Sequence, residues 1–394
     1  MSEWKEYKLG DVVNSNTKSI GKDYPHNIIQ YLDTGSITHG KIENFQEFVL
    51  ADAPSRAKRL VKKNDIVYST VRPIQRHYGF IVNPPQNLVV STGFSVIETN
   101  PEIAESLFVY YFLTSDEIVE TLDVIADGST SAYPSLKPSD IEKLDILLPP
   151  LPAQKAIASI LSSLDDKIDL LHRQNETLEA MAETLFRQWF VEEVEDDWEE
   201  KVLEKLCTIT RGASPRPIIS YVVNGTVPWI KIADGSRSNT FFIDSTNEFI
   251  IEEGVSKSVK VYPGDLILSN SATCGFPYFV ELEGCIHDGW LLFRDFKYIS
   301  KLFTFFFLKQ IFRELNNYAD GSVQNNLNTG ILKEYPVSVP PINLVAKFDK
   351  QAGIFIDKIK RNIYQIRTLE KLRDTLLPKL MSGEVRIEME KYYG

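Results

Sequence analysis

The sequence predicts a mixed α+β fold, in which two similar globular domains are separated by two long helices that form an intramolecular antiparallel coiled coil. The main observation is repetition: a Pro-Pro dipeptide opens a helical heptad pattern at 149–150 and again at 340–341. Residues 1–148 precede the first pattern and residues 198–339 precede the second. Repetition on this scale indicates that one architectural unit is used twice. The predicted boundaries are 1–148, 149–197, 198–339 and 340–394.

Composition is that of an ordinary soluble globular protein. A chain of 394 residues with 43% hydrophobic and 25% charged residues is long enough for two or three domains, each with its own core. Its apolar runs are shorter than the roughly 18 residues of a membrane span, and its first five residues lack a signal-peptide pattern. The three cysteines form no C-x-x-C pair, which argues against a disulfide framework or a zinc site. We therefore expect a cytoplasmic protein.

The first domain is predicted to begin with strands and to end with a helix. Residues 65–71 and 88–97 are rich in β-branched and aromatic side chains, which is typical of strands. Residues 103–125 are predicted to be helical, with Gly128 near the C-cap.

The first heptad pattern predicts a long central helix with Pro152 in its first turn. Apolar residues recur at alternating spacings of four and three, which is typical of coiled-coil packing. The predicted seam consists of Ile157, Leu161, Leu164, Ile168, Leu171, Asn175, Leu178 and Leu185.

The second domain repeats short motifs of the first. Trp198 corresponds to Trp4, and Gly264-Asp265-Leu266 corresponds to Asn64-Asp65-Ile66. In the same order, Asp288-Gly289-Trp290 corresponds to Thr92-Gly93-Phe94, and the predicted helix 299–318 corresponds to 103–125. The spacings differ, which indicates loop insertions within a common fold.

The second heptad pattern predicts a C-terminal helix in the same register as the central one, with Asn343 as its N-cap and Gly383 just past its end. Its predicted seam consists of Phe348, Phe355, Ile359, Asn362, Ile366, Leu369 and Leu376. Each helix should be about 60 Å long at 1.5 Å per residue, so it needs a packing partner.

The nearest partner for each helix is the other helix, antiparallel to it if the domains are to lie at opposite ends. Asn175 and Asn362 are polar seam residues of the kind that fix register. Acidic residues on the central helix and basic ones on the C-terminal helix also favour pairing across the seam. The alternative is that each helix packs only on its own domain.

Charge is unevenly distributed along this acidic chain. The net charge is −11, and acidic residues are concentrated in residues 1–148 and in the central helix. Within that acidic half, the window 56–76 contains seven basic residues and one acidic residue. Phosphate binding requires a local basic patch and not a basic average.

The basic window is the first candidate for nucleic-acid contact. Arg pairs with guanine in the major groove, whereas Lys mostly contacts phosphate. The candidate residues of this window are Arg56, Lys58, Arg59, Lys62, Lys63, Arg72, Arg76 and His77. We predict that Arg72, Arg76 and His77, beside Pro73, read bases; the alternative is a solvated basic face.

The second domain offers fewer candidates. They are basic residues in turns and amides or hydroxyls after a strand: Arg211, Arg216, Lys231, Arg237, Asn270, Ser271 and Thr273. Matching loops after the predicted helices add Ser129, Thr130, Tyr133, Gln324, Asn325 and Asn326. Asn and Gln pair with adenine. Ordinary loop polarity, helix capping and domain closure are the alternatives.

Motifs for catalysis are weak or missing. Asn83-Pro84-Pro85-Gln86 partly matches the adenine-methyltransferase motif, but Gln occupies the place of the aromatic residue that stacks on the flipped base. The chain contains no G-x-G, so the usual glycine loop for a nucleotide cofactor is missing. The five histidines include no H-x₃-H pair, so a helical zinc site is not indicated.

Taken together, these motifs resemble the specificity subunit of type I restriction-modification systems along the whole chain. The resemblance rests on Trp4, Leu9 and Gly10 at the start and on the Gly264-Asp265-Leu266 strand opener. It also rests on Pro149-Pro150-Leu151-Pro152-Ala153-Gln154-Lys155 before the heptads and on the duplication of this order. The second copy departs from the pattern, with Pro341-Ile342-Asn343-Leu344 where the first has Leu-Pro-Ala-Gln.

The resemblance implies a non-catalytic subunit with two target-recognition domains, each reading one half of a split, asymmetric double-stranded DNA sequence. It implies that two modification subunits, which carry S-adenosylmethionine and methylate adenine, dock on the helices. ATP-dependent restriction subunits would join them. The chain itself would bind no cofactor and no metal. The other hypotheses are a coiled-coil adaptor or orphan DNA-binding subunit and, less favoured, a stand-alone DNA methyltransferase.

Overall fold

Each globular domain is built from two β-sheets that pack face to face, with helices on the outer face of one sheet. The computed structural model describes residues 4–129, 134–238, 240–271, 275–312 and 329–387. Two units are formed, one by residues 1–169 with 366–394 and the other by residues 170–365. Each long helix therefore contributes to both units.

The described residues of the first unit form twelve strands. They are β1 (Lys5–Lys8), β2 (Val13–Ser15), β3 (Ile28–Leu32), β4 (Ile37–Thr38), β5 (Lys41–Ile42), β6 (Gln46–Val49), β7 (Ala57–Leu60), β8 (Ile66–Ser69), β9 (Tyr78–Phe80), β10 (Leu88–Ser91), β11 (Phe94–Thr99) and β12 (Asp145–Leu148). The helices of this part of the chain are α1 (Leu9–Val12), α2 (Ser106–Thr114), α3 (Asp116–Asp127), α4 (Pro138–Glu142) and the central helix α5 (Leu151–Arg187).

Two four-stranded sheets, in the orders β6-β3-β10-β7 and β2-β11-β8-β9, form the first domain. Side chains alternate along β8 as the pleat requires. Val67 packs between the sheets, whereas Ile66 and Tyr68 pack on the other face with the helices. The predicted strand 88–97 is thus two strands separated by a turn at Thr92–Gly93, and the predicted helix 103–125 is two helices.

The second unit repeats this plan. Its strands are β13 (Glu199–Val202), β14 (Thr208–Arg211), β15 (Val227–Ile230), β16 (Phe242–Ile243), β17 (Phe249–Ile250), β18 (Val259–Val261), β19 (Leu266–Ser269), β20 (Pro277–Val280), β21 (Gly284–Ile286), β22 (Trp290–Arg294) and β23 (Pro336–Val339). The helices are α6 (Ile219–Val222), α7 (Ile232–Arg237), α8 (Glu252–Val255), α9 (Lys301–Gln310), α10 (Thr329–Lys333) and the C-terminal helix α11 (Ile342–Met381).

The two domains have equivalent sheets. The orders β17-β15-β21-β18 and β14-β22-β19-β20-β16 reproduce those of the first domain, with β16 added at one edge. The parallel pair β3–β10 recurs as β15–β21, and β1–β12 recurs as β13–β23. The predicted duplication of a mixed α+β domain is confirmed at the level of strand order.

One turn explains why Asn and Gly are interchangeable between the two copies. Asn64 and Gly264 both have positive φ, 70° and 89°, and both donate a backbone hydrogen bond of 2.7 Å, to Ile81 and to Val280. Glycine adopts this region freely, and asparagine tolerates it better than most residues. The following aspartate then accepts a backbone N–H in both copies.

These two aspartates have different surroundings. Asp65 is buried, and burial raises its pKa to about 6. The hydrogen bond from the Lys62 N–H acts in the opposite direction, but its effect is smaller. Asp265 accepts a hydrogen bond of 3.1 Å from Nε of Arg294. The position of Arg294 is occupied in the first domain by Glu98, because β11 and β22 are equivalent strands.

Replacing Asp65 with Asn is therefore expected to stabilise the protein at pH 7.5. A folded-state pKa above the unfolded value means that stability falls as pH rises from about 4 to about 6, by up to about 3 kcal/mol. The amide retains an acceptor for the Lys62 N–H but carries no charge, so the variant should lose this pH dependence. Urea unfolding between pH 4 and 8 measures it.

Asp265→Asn is the matched control for this substitution. It removes the charge that pairs with Arg294, so it is expected to destabilise the protein at pH 7.5. Equal losses of stability in the two variants would contradict the assignment of Asp65 as a destabilising buried carboxylate.

The two long helices run antiparallel within each unit. In the second unit, Nδ2 of Asn362 donates to Oδ1 of Asn175 at 2.8 Å, and Phe186 packs against Phe348. In the first unit, Arg373 forms an ion pair with Asp165 at 2.8 Å. All the predicted seam residues are buried or half-buried.

Burial extends beyond the predicted seam. Ala158 packs with the core of the first domain, and Phe186, Ile356 and Ile363 pack with that of the second. Each helix therefore contacts a domain as well as the other helix, which widens its apolar stripe. The predicted pairing of the two helices therefore occurs together with packing on the domains, and the alternative that each helix packs only on its own domain was wrong.

Two predictions about the helices were wrong in detail. The C-terminal helix begins at Ile342, so Asn343 lies in the first turn instead of capping it. The acidic side chains of Glu179 and Glu183 pair with Lys309 of α9 and not across the seam. Lys360 likewise pairs with Glu281, at 2.5 Å, because the domain also packs against the helix.

Candidate nucleic-acid interface

The turn before β11 gathers several loops of the first domain. Thr92 N–H donates to the carbonyl of Arg56 at 2.9 Å, and Thr70 N–H donates to the carbonyl of Gly93 at 2.8 Å. Arg56 and the loop after β8 therefore meet at one edge. We call Arg56, residues 70–76, Thr92–Gly93 and Ser129 the first edge.

The loop after β8 is held in an unusual conformation. Arg72 and Arg76 both have positive φ, 46° and 56°, and they flank a 3₁₀ turn at Pro73–Gln75. The N–H of Arg72 donates to Pro134, and that of Ile74 donates to Oδ1 of Asp123 at 3.1 Å. Left-handed conformations at bulky residues persist where the surroundings hold them, which is common at functional sites.

Arg76 and His77 have structural partners, which weakens their prediction as base readers. The Arg76 guanidinium forms an ion pair with Asp116 at 2.7 Å and is 22% exposed. Nδ1 of His77 lies 2.6 Å from the carbonyl of Ile37. Arg72 is exposed, whereas Arg76 is half-buried.

The structure places the basic residues of the window 56–76 at different ends of the first domain. Lys62 and Lys63 precede β8 and Arg72 follows it, so they lie at opposite ends of a strand that is about 13 Å long at 3.3 Å per residue. Lys62 is paired with Glu98, while Lys63 is exposed. Lys58 and Arg59 lie on β7 between these ends; Lys58 is exposed, whereas the half-buried Arg59 has a pKa lowered by burial.

The loop after α3 joins the first edge. The carbonyl of Thr70 accepts from Leu136 N–H, and Ser129 Oγ accepts from Ser135 N–H. These contacts place Ser129 beside the loop that carries Arg72. The sequence did not predict that these two candidates lie together. The remaining candidates of the two post-helix loops lie outside the described residues: Thr130, Tyr133, Gln324, Asn325 and Asn326.

The equivalent turn before β22 gathers loops of the second domain. Asn270 N–H donates to the carbonyl of Gly289, as Thr70 does to Gly93. Nε of Arg211 donates to the carbonyl of Asp288 at 3.0 Å. We call residues 211–216, 270–271 and 287–289 the second edge; it occupies the same place in the repeated fold as the first edge.

The side chain of Asp288 joins the arginine loop to this turn. Its Oδ1 accepts from Ser214 at 2.7 Å, and its Oδ2 lies 3.8 Å from Nη2 of Arg216. Nε2 of His287 lies 2.9 Å from Oδ1 of Asp288. Burial would raise the pKa of Asp288, but Ser214, His287 and Arg216 together bring it below its usual value.

Other predicted residues of the second domain are less available. Lys231 pairs with Glu248 at 2.5 Å, and Arg237 pairs with the buried Asp234. Asn270 is 1% exposed, so the prediction that it reaches base edges was wrong for this conformation, because it follows a fully buried strand. Ser271 is half-buried beside Gly289, and Thr273 lies outside the described residues.

Sequence reasoning missed Ser214, His287 and Asp288 as members of the site. The only signal was the correspondence of Asp288-Gly289-Trp290 with Thr92-Gly93-Phe94, which marked the turn but not the role of its side chain. Contacts between loops that are more than 70 residues apart in sequence could not be read from local patterns.

The described residues contain neither a candidate metal site nor a candidate membrane span. No group of three or more His, Cys, Asp or Glu side chains that could hold a metal ion occurs in them. None of the helices in that part of the chain combines the length and apolar character of a membrane span.

The fold and its two equivalent polar edges define a protein with paired recognition domains. Residues 1–180 and 195–373 match the type I restriction modification DNA specificity domain. The chain therefore belongs to this family: it is a non-catalytic specificity subunit with two DNA-recognition domains, which associates with methyltransferase and restriction subunits.

Known relatives cover most of the chain. The specificity subunit of the type I restriction enzyme HindI from Haemophilus influenzae is 27% identical over 98% of this chain and 100% of its own length. The MjaIX specificity subunit from Methanocaldococcus jannaschii is 25% identical over 84% and 79%, respectively. The crystal structure of a type I S subunit from M. genitalium covers 96% of both chains with a TM-score of 0.63 at 17% identity, so it shows a similar fold.

Proposed function

We propose that this subunit reads a bipartite, asymmetric double-stranded DNA target, with the first edge on one half-site and the second edge on the other. Each domain would contribute its own base contacts, so the two halves of the target need not resemble each other. Binding by the chain alone should be weak and sensitive to salt, since its net charge is −11.

The equivalence of the two edges supports this proposal most directly. The same turn, at Thr92–Gly93 and at Asp288–Gly289, contacts an arginine-bearing segment in each copy of the fold. The arginines come from different segments: Arg72 follows β8, and Arg211 is the last residue of β14. Two unrelated half-sites require different side chains at equivalent places of the repeated fold.

The long helices are proposed to dock two modification subunits, which would carry S-adenosylmethionine and methylate adenine in the target. ATP-dependent restriction subunits would complete the complex. The proposal places this assembly in the cytoplasm, with no cofactor held by the specificity subunit itself.

Genome-wide mapping of adenine methylation tests the proposal, in the source strain with the gene intact and deleted. Loss of one split, asymmetric motif on deletion is the expected result. An unchanged methylation pattern would contradict it and would favour an adaptor or orphan subunit.

A further inference from the structure

We infer that Asp288 is a positioning residue that aims Arg211 and Arg216 at the second half-site; this rests on the proposed function. Its carboxylate and its carbonyl contact two arginines: Oδ2 forms an ion pair with Nη2 of Arg216 at 3.8 Å, and the carbonyl accepts a hydrogen bond from Nε of Arg211. Both arginines are exposed. Asp288 itself therefore acts through them.

Two neutral groups lie against the carboxylate. Ser214 donates a hydrogen bond to it at 2.7 Å. The backbone N–H of Gly289 donates to Nδ1 of His287 at 2.9 Å, so the neutral ring carries its proton on Nε2, which lies 2.9 Å from Oδ1 of Asp288. Burial lowers the pKa of His287, which favours this neutral form.

A carboxylate at this place lowers the affinity of the edge for DNA. It repels the phosphates that an arginine-bearing edge would otherwise attract. Its contribution is geometric: a guanidinium has five donors in a fixed plane, and it discriminates guanine only when two of them meet O6 and N7 together. The carbonyl of Asp288 restricts the orientation of the Arg211 plane by accepting from Nε, and the carboxylate holds this turn in place by accepting from Ser214.

This arrangement belongs to the second domain. The equivalent position in the first domain is Thr92, which has no carboxylate. The arginine that contacts this turn is Arg56, whose backbone carbonyl accepts a hydrogen bond from the Thr92 N–H. Removing the charge of Asp288 should therefore affect one half of the target only.

The test compares Asp288→Asn with Glu283→Gln in the full chain, assembled with its partner subunits in a deletion strain, by mapping adenine methylation. Both substitutions remove one negative charge from the second domain, and Glu283 is an exposed residue paired with Lys260. Asp288→Asn is expected to reduce discrimination at the second half-site by about tenfold, which is within the range for one bidentate contact. Discrimination at the first half-site should be unchanged, as should both halves in Glu283→Gln.

Thermal unfolding of the same variants separates positioning from folding. Asp288→Asn is expected to unfold within a few degrees of the parent; if it does not fold, Ser214→Ala, which only loosens the carboxylate, is expected to relax the second half-site in the same direction. Unchanged discrimination in a folded Asp288→Asn, or equal relaxation of both half-sites, would overturn the inference. If the parent chain itself directs no bipartite motif, the proposed function fails and this inference fails with it.

Discussion

Phe348→Ala is expected to lower the free energy of unfolding of the second unit by about 3–5 kcal/mol. Phe348 is fully buried where the C-terminal helix meets the central helix and α9. Its ring lies 5.2–5.7 Å from those of Phe190, Phe186 and Phe306. Truncation would leave a cavity lined by rings from α5, from the segment directly after it and from α9, which cannot collapse together. Urea unfolding followed by tryptophan fluorescence measures the loss.

Phe355→Ala is the control for this prediction. Phe355 lies on the same helix but is half-buried and lines an open groove of about 460 Å³ with Met181 and Gln351. Its truncation enlarges a space that water already reaches, so the loss should be clearly smaller. Equal losses in the two variants would contradict the packing described at Phe348.

Arg72→Ala is expected to relax the first half-site while sparing the second. One bidentate base contact contributes about 1–3 kcal/mol of discrimination, which corresponds to roughly 5- to 150-fold at a single base pair. Arg72 sits at the start of a loop that its neighbours hold in place, so the substitution should change recognition more than stability. Methylation mapping with the variant subunit gives the preference at each base.

Arg211→Ala provides the mirrored control, because it should relax only the second half-site. Arg76→Ala should differ from both, since it breaks the ion pair with Asp116 and loosens the loop itself. Equal loss at both half-sites in Arg72→Ala would contradict its assignment to one domain.

The architecture could be predicted because its signals are local and repeated. Heptad spacing identified both long helices, and the Asn64-Asp65 and Gly264-Asp265 turns identified equivalent positions that the backbone geometry explains. The split of one predicted strand at Thr92–Gly93 was missed because apolar residues continue on both sides of the turn.

The candidate site was less predictable because it depends on pairing at a distance. A basic side chain in the sequence does not reveal its acidic partner. The sequence predicted DNA contact for Lys62, Arg76 and Lys231, and only the structure shows that they pair with Glu98, Asp116 and Glu248. Asp288 was not predicted, because an acidic residue is not expected at an edge that is proposed to contact DNA.

The central claim is that each domain reads its own half of the target, and an exchange of one domain tests it most directly. Residues 198–339 would be replaced in the full chain by the corresponding domain of a relative with a different target, and adenine methylation would be mapped in a deletion strain. If each domain reads its own half-site, the exchange gives a new motif that keeps one half of the original sequence and changes the other. A motif changed in both halves, or left unchanged, would contradict independent reading by two domains.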